Sequence, residues 1–458
     1  MRQDVPSTSS RRSFLKNTGR IAAASALAGM VVPHVHAGEN NTIQVALIGC
    51  GGRGTGAAAD ALSVKRGPVK LVAMADVFAD CLNGSYNNLK KQFGNKVDVP
   101  KDRQFLGFNA YQKAMDCLKP GDVAIFATPL AFRWVDFTYA IEKNLHVFME
   151  KPLTADGPTS RRMLKLGNEA SAKNLKVGVG LMSRHNRALQ ELAKRIHDGE
   201  IGKLLMIRAS REHGPVGSFF STAKPADKNE LLWQIRRFHS FIWASGGAYS
   251  DANIHLIDHC CWMKDAWPVK AAAIGGRQFR NDFVDQNFDN YGVEYTFPDE
   301  TKFMFFARFV AGCEDVYASS ALGTKGAAVF SKVGDCGQPS STYKGHEMTK
   351  ANLIWQSKSP VGEENPYQNE WNDLIEAIRN DKPYNEVDRG VRASLASSMG
   401  RMAAHTGRII SFDDMLNCEH EMAPGADKFT LASAAPVVAN ARGKYAVPMP
   451  GIVTKREY

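Results

Sequence analysis

The chain has 458 residues, 44% hydrophobic and 23% charged, with 39 Gly and 20 Pro. That balance excludes collagen-like, coiled-coil and disordered classes and predicts an enzyme-sized globular protein of two or three domains. The formal charge is +10; residues 1–37 hold Arg2, Arg11, Arg12, Lys16 and Arg20 against Asp4, a net +4, which leaves +6 elsewhere. So mild an excess argues against nucleic acid as the main partner.

Ser10-Arg11-Arg12-Ser13-Phe14-Leu15-Lys16 precedes an apolar run from Ile21 to Val32 and then Val35-His36-Ala37, a small-residue cleavage pattern. The order is that of a twin-arginine export signal. The apolar run is shorter than the ~20 residues that span a bilayer. The expectation is therefore a removable leader over residues 1–37, export of a folded protein to the periplasm, and no membrane association afterwards. The cysteines, Cys50, Cys81, Cys117, Cys260, Cys261, Cys313, Cys336 and Cys418, form no C-x-x-C. Such scatter predicts free, mostly buried thiols rather than a disulfide framework.

Thr42 to Ile48 is a β-rich run that ends in Gly49-Cys50-Gly51-Gly52-Arg53-Gly54, followed by an Ala-rich stretch to Leu62. Strand, G-x-G-x-x-G turn and helix make a dinucleotide site: glycines let the backbone approach a pyrophosphate, and the helix N-terminus offers it unpaired N–H groups. Gly49, Gly51, Gly52, Arg53 and Gly54 are thus candidate cofactor contacts. A second strand from Val69 ends at Asp76, about 20 residues past the motif, where a carboxylate accepts ribose hydroxyls and repels a 2′-phosphate. The cofactor expected is NAD rather than NADP. Further strands lead into Thr128-Pro129 and into Glu150-Lys151-Pro152, which adds Thr128, Pro129, Glu150 and Lys151 to the cofactor set. Strands alternating with helices, with functional residues after the strand ends, predict a doubly wound α/β domain over residues 38–182.

G-x-G-x-x-G after the first strand, an acidic residue after the second, A-T-P after a later one and then E-K-P together resemble the Gfo/Idh/MocA family of nicotinamide-dependent sugar and inositol oxidoreductases. The resemblance covers most of the chain after the leader. It implies that Lys151 lies near the nicotinamide and the reacting hydroxyl, where an ammonium would stabilise a developing alkoxide. It also implies a metal-free reaction and a homo-oligomer, a dimer or tetramer.

The stretch Ser245-Gly246-Gly247-Ala248-Tyr249-Ser250-Asp251-Ala252-Asn253-Ile254-His255-Leu256-Ile257-Asp258 resembles the family's G-G-G-x-x-x-D-x-G-x-H-x-x-D, departing at Ser245 and Asn253. On a helix Asp251, His255 and Asp258 share one face. By resemblance His255 is the acid/base, and Asp251 is its partner or a substrate contact. The competing reading is that Asp251 caps the helix and His255 is a hydrogen-bonded core residue. His255, Asp258, His259, Cys260 and Cys261 also carry a zinc-like spacing, but no metal is expected, since Lys151 already supplies an electrophile.

Arg184 and His185 stand where the chain crosses into a second domain, a frequent pocket wall. Trp233, Arg237 and His239 belong to an aromatic and basic run suited to stacking on sugar rings and bonding their hydroxyls. Arg184, His185, Trp233, Arg237, His239, Asp251 and His255 are accordingly the candidate substrate contacts. Tyr291 to Phe297 and Thr301 to Ala307 alternate like antiparallel strands around a Pro298-Asp299-Glu300 turn, so residues 183–422 are read as an α+β domain with an open, mostly antiparallel sheet. Gln338 to Pro366 reads as a loop able to cover the pocket, and residues 423–458 as an extended tail without assigned chemistry. Arg133 has two open roles, recruitment of an anionic substituent or pairing with Asp136, of which pairing is expected.

The function expected is a periplasmic carbohydrate oxidoreductase with tightly held NAD, acting on a small and, in keeping with the basic excess, acidic or neutral sugar. Export removes it from free NAD, so its redox cycle must close within the protein. One closed cycle reduces a second carbonyl compound. The alternative oxidises C3 transiently, eliminates the glycosidic substituent and re-reduces, which makes a glycosidase; the retained E-K-P favours the first. A non-catalytic sugar-binding protein is the third reading.

Overall fold

The computed structural model describes residues 41–278, 282–337 and 339–458; the expected leader lies outside the described residues. Strands β1 (Ile43–Ile48), β2 (Val69–Asp76), β3 (Gln104–Leu106), β4 (Val123–Phe126), β5 (His146–Met149) and β6 (Val177–Val179) form one parallel sheet in the order β3-β2-β1-β4-β5-β6. Both faces are buried, and the two-residue period of a strand divides them. Val45, Leu47, Val123, Ile125 and Phe148 face one core, while Ala46, Ile48, Ala124, Phe126 and Met149 face the other. The first of these cores is completed from far along the chain by the Pro366–Arg379 helix, whose Trp371 packs on Phe148 with ring centroids 4.6 Å apart. Strand order reverses between β1 and β4, the place where such sheets bind ligands.

A second sheet takes β7 (Leu204–His213), β8 (Lys270–Gly276), β9 (Asn290–Thr296), β10 (Lys302–Phe309), β11 (Val316–Gly323), β12 (Gly326–Ser331), β13 (Ser341–Lys344), β14 (Leu353–Gln356) and β15 (Ile410–Ser411). Their order is β14-β13-β12-β11-β7-β10-β9-β8-β15. All pairs are antiparallel except β7 with β10. The expected hairpin is β9 and β10, with Glu300 at φ 63° in its turn. A doubly wound domain followed by a mostly antiparallel α+β region is thus the observed fold class.

The segment expected to be a covering loop instead supplies β13 and β14 at the sheet edge, apart from Gln338, which lies outside the described residues. Ser340, Ser341 and Thr342 are fully buried although polar: the ladder takes up their backbone groups, Ser340 Oγ donates to the Phe330 carbonyl at 2.6 Å and Thr342 Oγ1 donates to Glu200, while the Ser341 hydroxyl has no partner. A hydrophobic pattern cannot reveal strands of that kind.

The helices Gly247–Lys264 and Val387–Thr406 pack on this sheet, buried almost all round. The C-terminal stretch is tied into the same core. Fully buried Arg401 pairs with Glu457 through two bonds of 2.8 and 2.9 Å, and His405 Nδ1 lies 2.8 Å from the same carboxylate. The eight cysteines are all free.

Candidate active site

Past β1 the chain turns at Gly49, φ 91°. A Cβ there would stand 2.6 Å from the Ala127 carbonyl carbon, and one at Gly54 would stand 2.0 Å from the Gly49 carbonyl oxygen. Only glycine lets strand, turn and helix approach this closely. Gly51 and Gly52, by contrast, face open space. The Gly52–Leu62 helix begins there with no side-chain cap and no acidic residue in its first turn, so its leading N–H groups are directed at that space.

Asp76 ends β2 and accepts from Cys50 N at 2.6 Å and Phe78 N at 2.8 Å. It therefore braces the glycine turn as well as facing a cavity of about 270 Å³. Gly49, Gly51, Asp76, Thr128 and Pro129 form one side of that cavity; Ile235, Arg236, Phe238, Asp427 and Phe429 close the other. Apolar walls, a carboxylate at one edge and a bare helix N-terminus are what an adenosine diphosphate moiety requires, so the residues fit a dinucleotide. Arg236 is fixed over the Phe78 ring at 3.8 Å by a two-pronged bond to Asp80. Phe429 meets Phe132 and Trp243 edge-on at 6.1 and 6.4 Å.

Arg53 and Glu150, both expected on the cofactor side, lie against each other with Nε 2.8 Å from Oε1. The Arg53 guanidinium also covers the Tyr367 ring at 4.8 Å. Lys151, the next residue after Glu150, donates to the Asp251 carbonyl at 2.7 Å and has the Asp251 carboxylate at 3.7 Å. On the other side of that carboxylate stands His239, Nε2 at 3.6 Å, with its Nδ1 held by Ser218 Oγ at 2.9 Å.

His255, one turn further along the helix, is 6% exposed, and its Nδ1 has no hydrogen-bond partner. Burial first, then the charges of Lys151, Arg211, His259 and Arg53, hold its imidazole far below the ordinary histidine range. It is neutral at physiological pH. The expected pairing of Asp251 with His255 is not what the helix provides: Asp251 serves Lys151 and His239, while the groups that act on His255 are the cations Lys151, Arg211 and Arg53 and the imidazole of His259. The reading of His255 as a satisfied core histidine also fails on its orphaned Nδ1.

Four expected substrate contacts are occupied elsewhere. Arg184 makes a two-pronged bond to Asp258, 2.8 Å for each prong. His185 lies 2.7 Å from Asp373 and 3.3 Å from Glu386. Arg237 donates to Ser221 Oγ and the Phe220 carbonyl, and Trp233 stacks on Tyr445. Each is a basic or aromatic group whose partner comes from a distant segment, which the local run of residues could not disclose. Arg133 is buried and donates to the Phe126 and Thr128 carbonyls at 2.7 Å, while Asp136 accepts from Thr128 Oγ1; the expected pairing with Asp136 is thus one of charge without a direct bond, and Glu150 and Asp251 act on Arg133 in the same way. Asp258 is taken by Arg184 and His259 by Ser319, and among the described residues no group of three or more His, Cys, Asp or Glu side chains is placed to hold a metal. Sequence reading missed Asp427 and Phe429 in the cavity wall. It also missed Arg211, His213, Tyr317 and Asp335, which gather on the sheet side of Lys151 and stand in no motif.

The chain matches no protein-family profile. It is similar to the scyllo-inositol 2-dehydrogenase (NAD(+)) of Bacillus subtilis, 30% identical over 176 residues, 37% of this chain and 43% of that protein. The chain spans between 29% and 43% of the length of the curated relatives it matches, all of them inositol dehydrogenases. Among solved structures, scyllo-inositol dehydrogenase from Lactobacillus casei with bound NAD(H) and scyllo-inositol superimposes with a TM-score of 0.59 at 20% identity over 81% of this chain and 99% of that one. The aldose-aldose oxidoreductase from Caulobacter crescentus does so with 0.61 at 15% identity, over 81% and 99%. At these identities the superpositions show the fold.

Proposed function

We propose that the chain is a carbohydrate oxidoreductase moving hydride between a hydroxyl-bearing carbon of a sugar or cyclitol and NAD held at the Gly49–Gly54 turn. The observation that carries this reading is the position of Lys151. It follows the strand beside the dinucleotide turn and bonds to the helix that bears Asp251 and His255, so one ammonium joins the cofactor side to the substrate side. NAD, when bound, supplies the hydride acceptor or donor. The Gly51–Gly52 backbone receives the pyrophosphate and Asp76 the ribose hydroxyls. Lys151 stabilises negative charge on the reacting oxygen, and neutral His255 takes the hydroxyl proton. Asp251 fixes Lys151. The names of the relatives point to a cyclitol or related ring as the substrate class.

The twin-arginine pattern supports export to the periplasm, and with it a cofactor loaded before transport. Tight retention is supported by the wall of Asp427 and Phe429, on a segment anchored by Glu457. The cycle closes by reduction of a second carbonyl compound in the same site. The outer face of the nine-stranded sheet, where Ile274 is 79% exposed and flanks Gly292 together with Phe306, is the surface for a second copy.

Denaturing protein purified from periplasm and identifying the released nucleotide, then following nicotinamide absorbance in single turnover with aldoses and inositols, tests the reading. NAD released and reduced by one of them supports it. Protein without nucleotide overturns the retained-cofactor cycle. Cleavage of an aryl glycoside with solvent deuterium at C2 and no net reduction replaces oxidoreduction by the elimination cycle.

A further inference from the structure

Opposite the Gly247–Lys264 helix, β7 and β11 place Arg211 directly across from Tyr317. The Arg211 guanidinium lies 4.8 Å over the Tyr317 ring, donates through Nε to His213 at 3.0 Å, and donates through Nη1 to the Ala252 carbonyl, between Asp251 and His255. This end of the sheet is thereby fastened to the helix that carries the proposed chemistry.

Asp335 stands on the turn after β12, which is itself fixed. Gly334 N donates to the Tyr317 carbonyl at 2.9 Å, Ser331 Oγ donates to the Gly334 carbonyl at 2.7 Å, and Gly337 N donates to Ser331 Oγ at 2.9 Å. The charges that act on the Asp335 carboxyl are those of Arg211, Lys151 and His213, so it stands within electrostatic reach of Lys151, on the side of the sheet that Arg211 fastens to the Ala252 carbonyl. Asp335 Oδ1 and Tyr317 Oη are buried beside each other and interact, yet neither reaches full hydrogen-bond geometry with any partner. Burial also pushes the Asp335 carboxyl above the usual range. Two buried polar atoms that meet only each other, and at poor geometry, are under-satisfied on a fixed wall, and a ligand offering hydroxyls to both completes their bonding.

Resting on the oxidoreductase reading, we propose that Asp335 and Tyr317 form a clamp for hydroxyl groups of the substrate other than the reacting one, which restricts the site to polyhydroxylated rings. One hydroxyl donates to Asp335 Oδ1, and its own oxygen or that of a neighbouring hydroxyl accepts from Tyr317. The reacting hydroxyl remains with Lys151 and His255. A site built this way discriminates strongly against an analogue lacking the clamped hydroxyl, because the pocket's own polar atoms are then left unpaired.

The test uses the nucleotide-loaded protein and its Asp335→Asn, Asp335→Ala and Tyr317→Phe variants. Scyllo-inositol, myo-inositol and glucose are screened by single-turnover nicotinamide absorbance, and the fastest is repeated with its monodeoxy analogues. The expected result in Asp335→Ala is a half-saturating concentration raised about tenfold or more with a limiting rate within about threefold of wild type. One deoxy analogue, handicapped in wild type, then reacts alike in wild type and variant. Nucleotide content at the wild-type level certifies folding, with Asp335→Asn and Tyr317→Phe as the least disruptive versions. An unchanged half-saturating concentration, or equal losses with every analogue in both proteins, overturns the clamp alone. Wild-type protein that releases NAD on denaturation but reduces it with none of the probes overturns the oxidoreductase reading and the clamp with it.

Discussion

The Lys151 ammonium is held by the Asp251 backbone carbonyl at 2.7 Å, closer than the 3.7 Å to the same residue's carboxylate. The lysine is thus positioned by main chain and neutralised at longer range, which leaves N–H donors for a substrate oxygen. Lys151→Met should lower the single-turnover rate by about 10² to 10³, with nucleotide content and thermal stability near wild type. Rapid kinetics with the best polyol checks this; a rate loss below tenfold would assign the electrophilic role elsewhere.

Two imidazoles flank this lysine, and their surroundings separate them. His255 is kept neutral by burial and by four cationic or imidazole neighbours. His239 is also held below the ordinary range by burial, but Asp251 opposes that shift. If His255 takes the hydroxyl proton, the acid limb of kcat/KM lies below 6.5, since the base must be unprotonated and its folded pKa is depressed. His255→Gln should cost about 10² to 10⁴ in rate, and His239→Gln should chiefly raise KM. The reverse ranking in rate would make His239 the base, using Asp251 as its carboxylate.

Asp76 has a double duty that makes its substitution informative. Both carboxylate oxygens already accept backbone N–H bonds from the glycine turn and from Phe78. Asp76→Ala should therefore lower stability by about 1–3 kcal/mol and also weaken NAD relative to NADP, because the carboxylate that repels a 2′-phosphate is gone. Calorimetric titration of the two nucleotides into apoprotein decides it; an unchanged affinity ratio would remove Asp76 from the ribose site.

The doubly wound half was legible because each of its signals is local. Gly49 to Gly54 and the end of β2 are set by strand period and turn chemistry, and Asp76 reaches Cys50 within one supersecondary unit. The helix with Asp251 and His255 was legible as a face, but not the identity of each neighbour. Asp251 finds Lys151 and His239, and Arg184 finds Asp258, across separations that only packing sets. Strands β13 and β14 escaped because Ser340 and Thr342 are buried through side-chain hydrogen bonds instead of apolar character. The tail escaped because Phe429 and Glu457 contribute through contacts with Trp243 and Arg401 that no spacing announces.

The Arg401–Glu457 pair makes the last prediction. Burial alone would raise the Glu457 carboxyl, but the Arg401 guanidinium and the His405 N–H outweigh it and hold it at about 2, against an ordinary glutamate value of 4.5. A depressed folded-state pKa means stability that is fully present above 4.5 and is lost as the pH falls toward 2. Glu457→Gln strands a buried guanidinium and should destabilise the protein by about 3 kcal/mol near neutral pH. The gap to wild type should then narrow as the pH drops through that window, where wild type loses the same charge. Because the anchored segment carries Asp427 and Phe429 into the cavity wall, the variant should also release its nucleotide faster at neutral pH, as should Phe429→Ala, which leaves the anchor intact. Urea unfolding at several pH values and nucleotide release after gel filtration read the two effects. A gap independent of pH would detach Glu457 from the acid sensitivity, and unchanged release in both variants would mean that the tail walls the cavity without retaining what binds there.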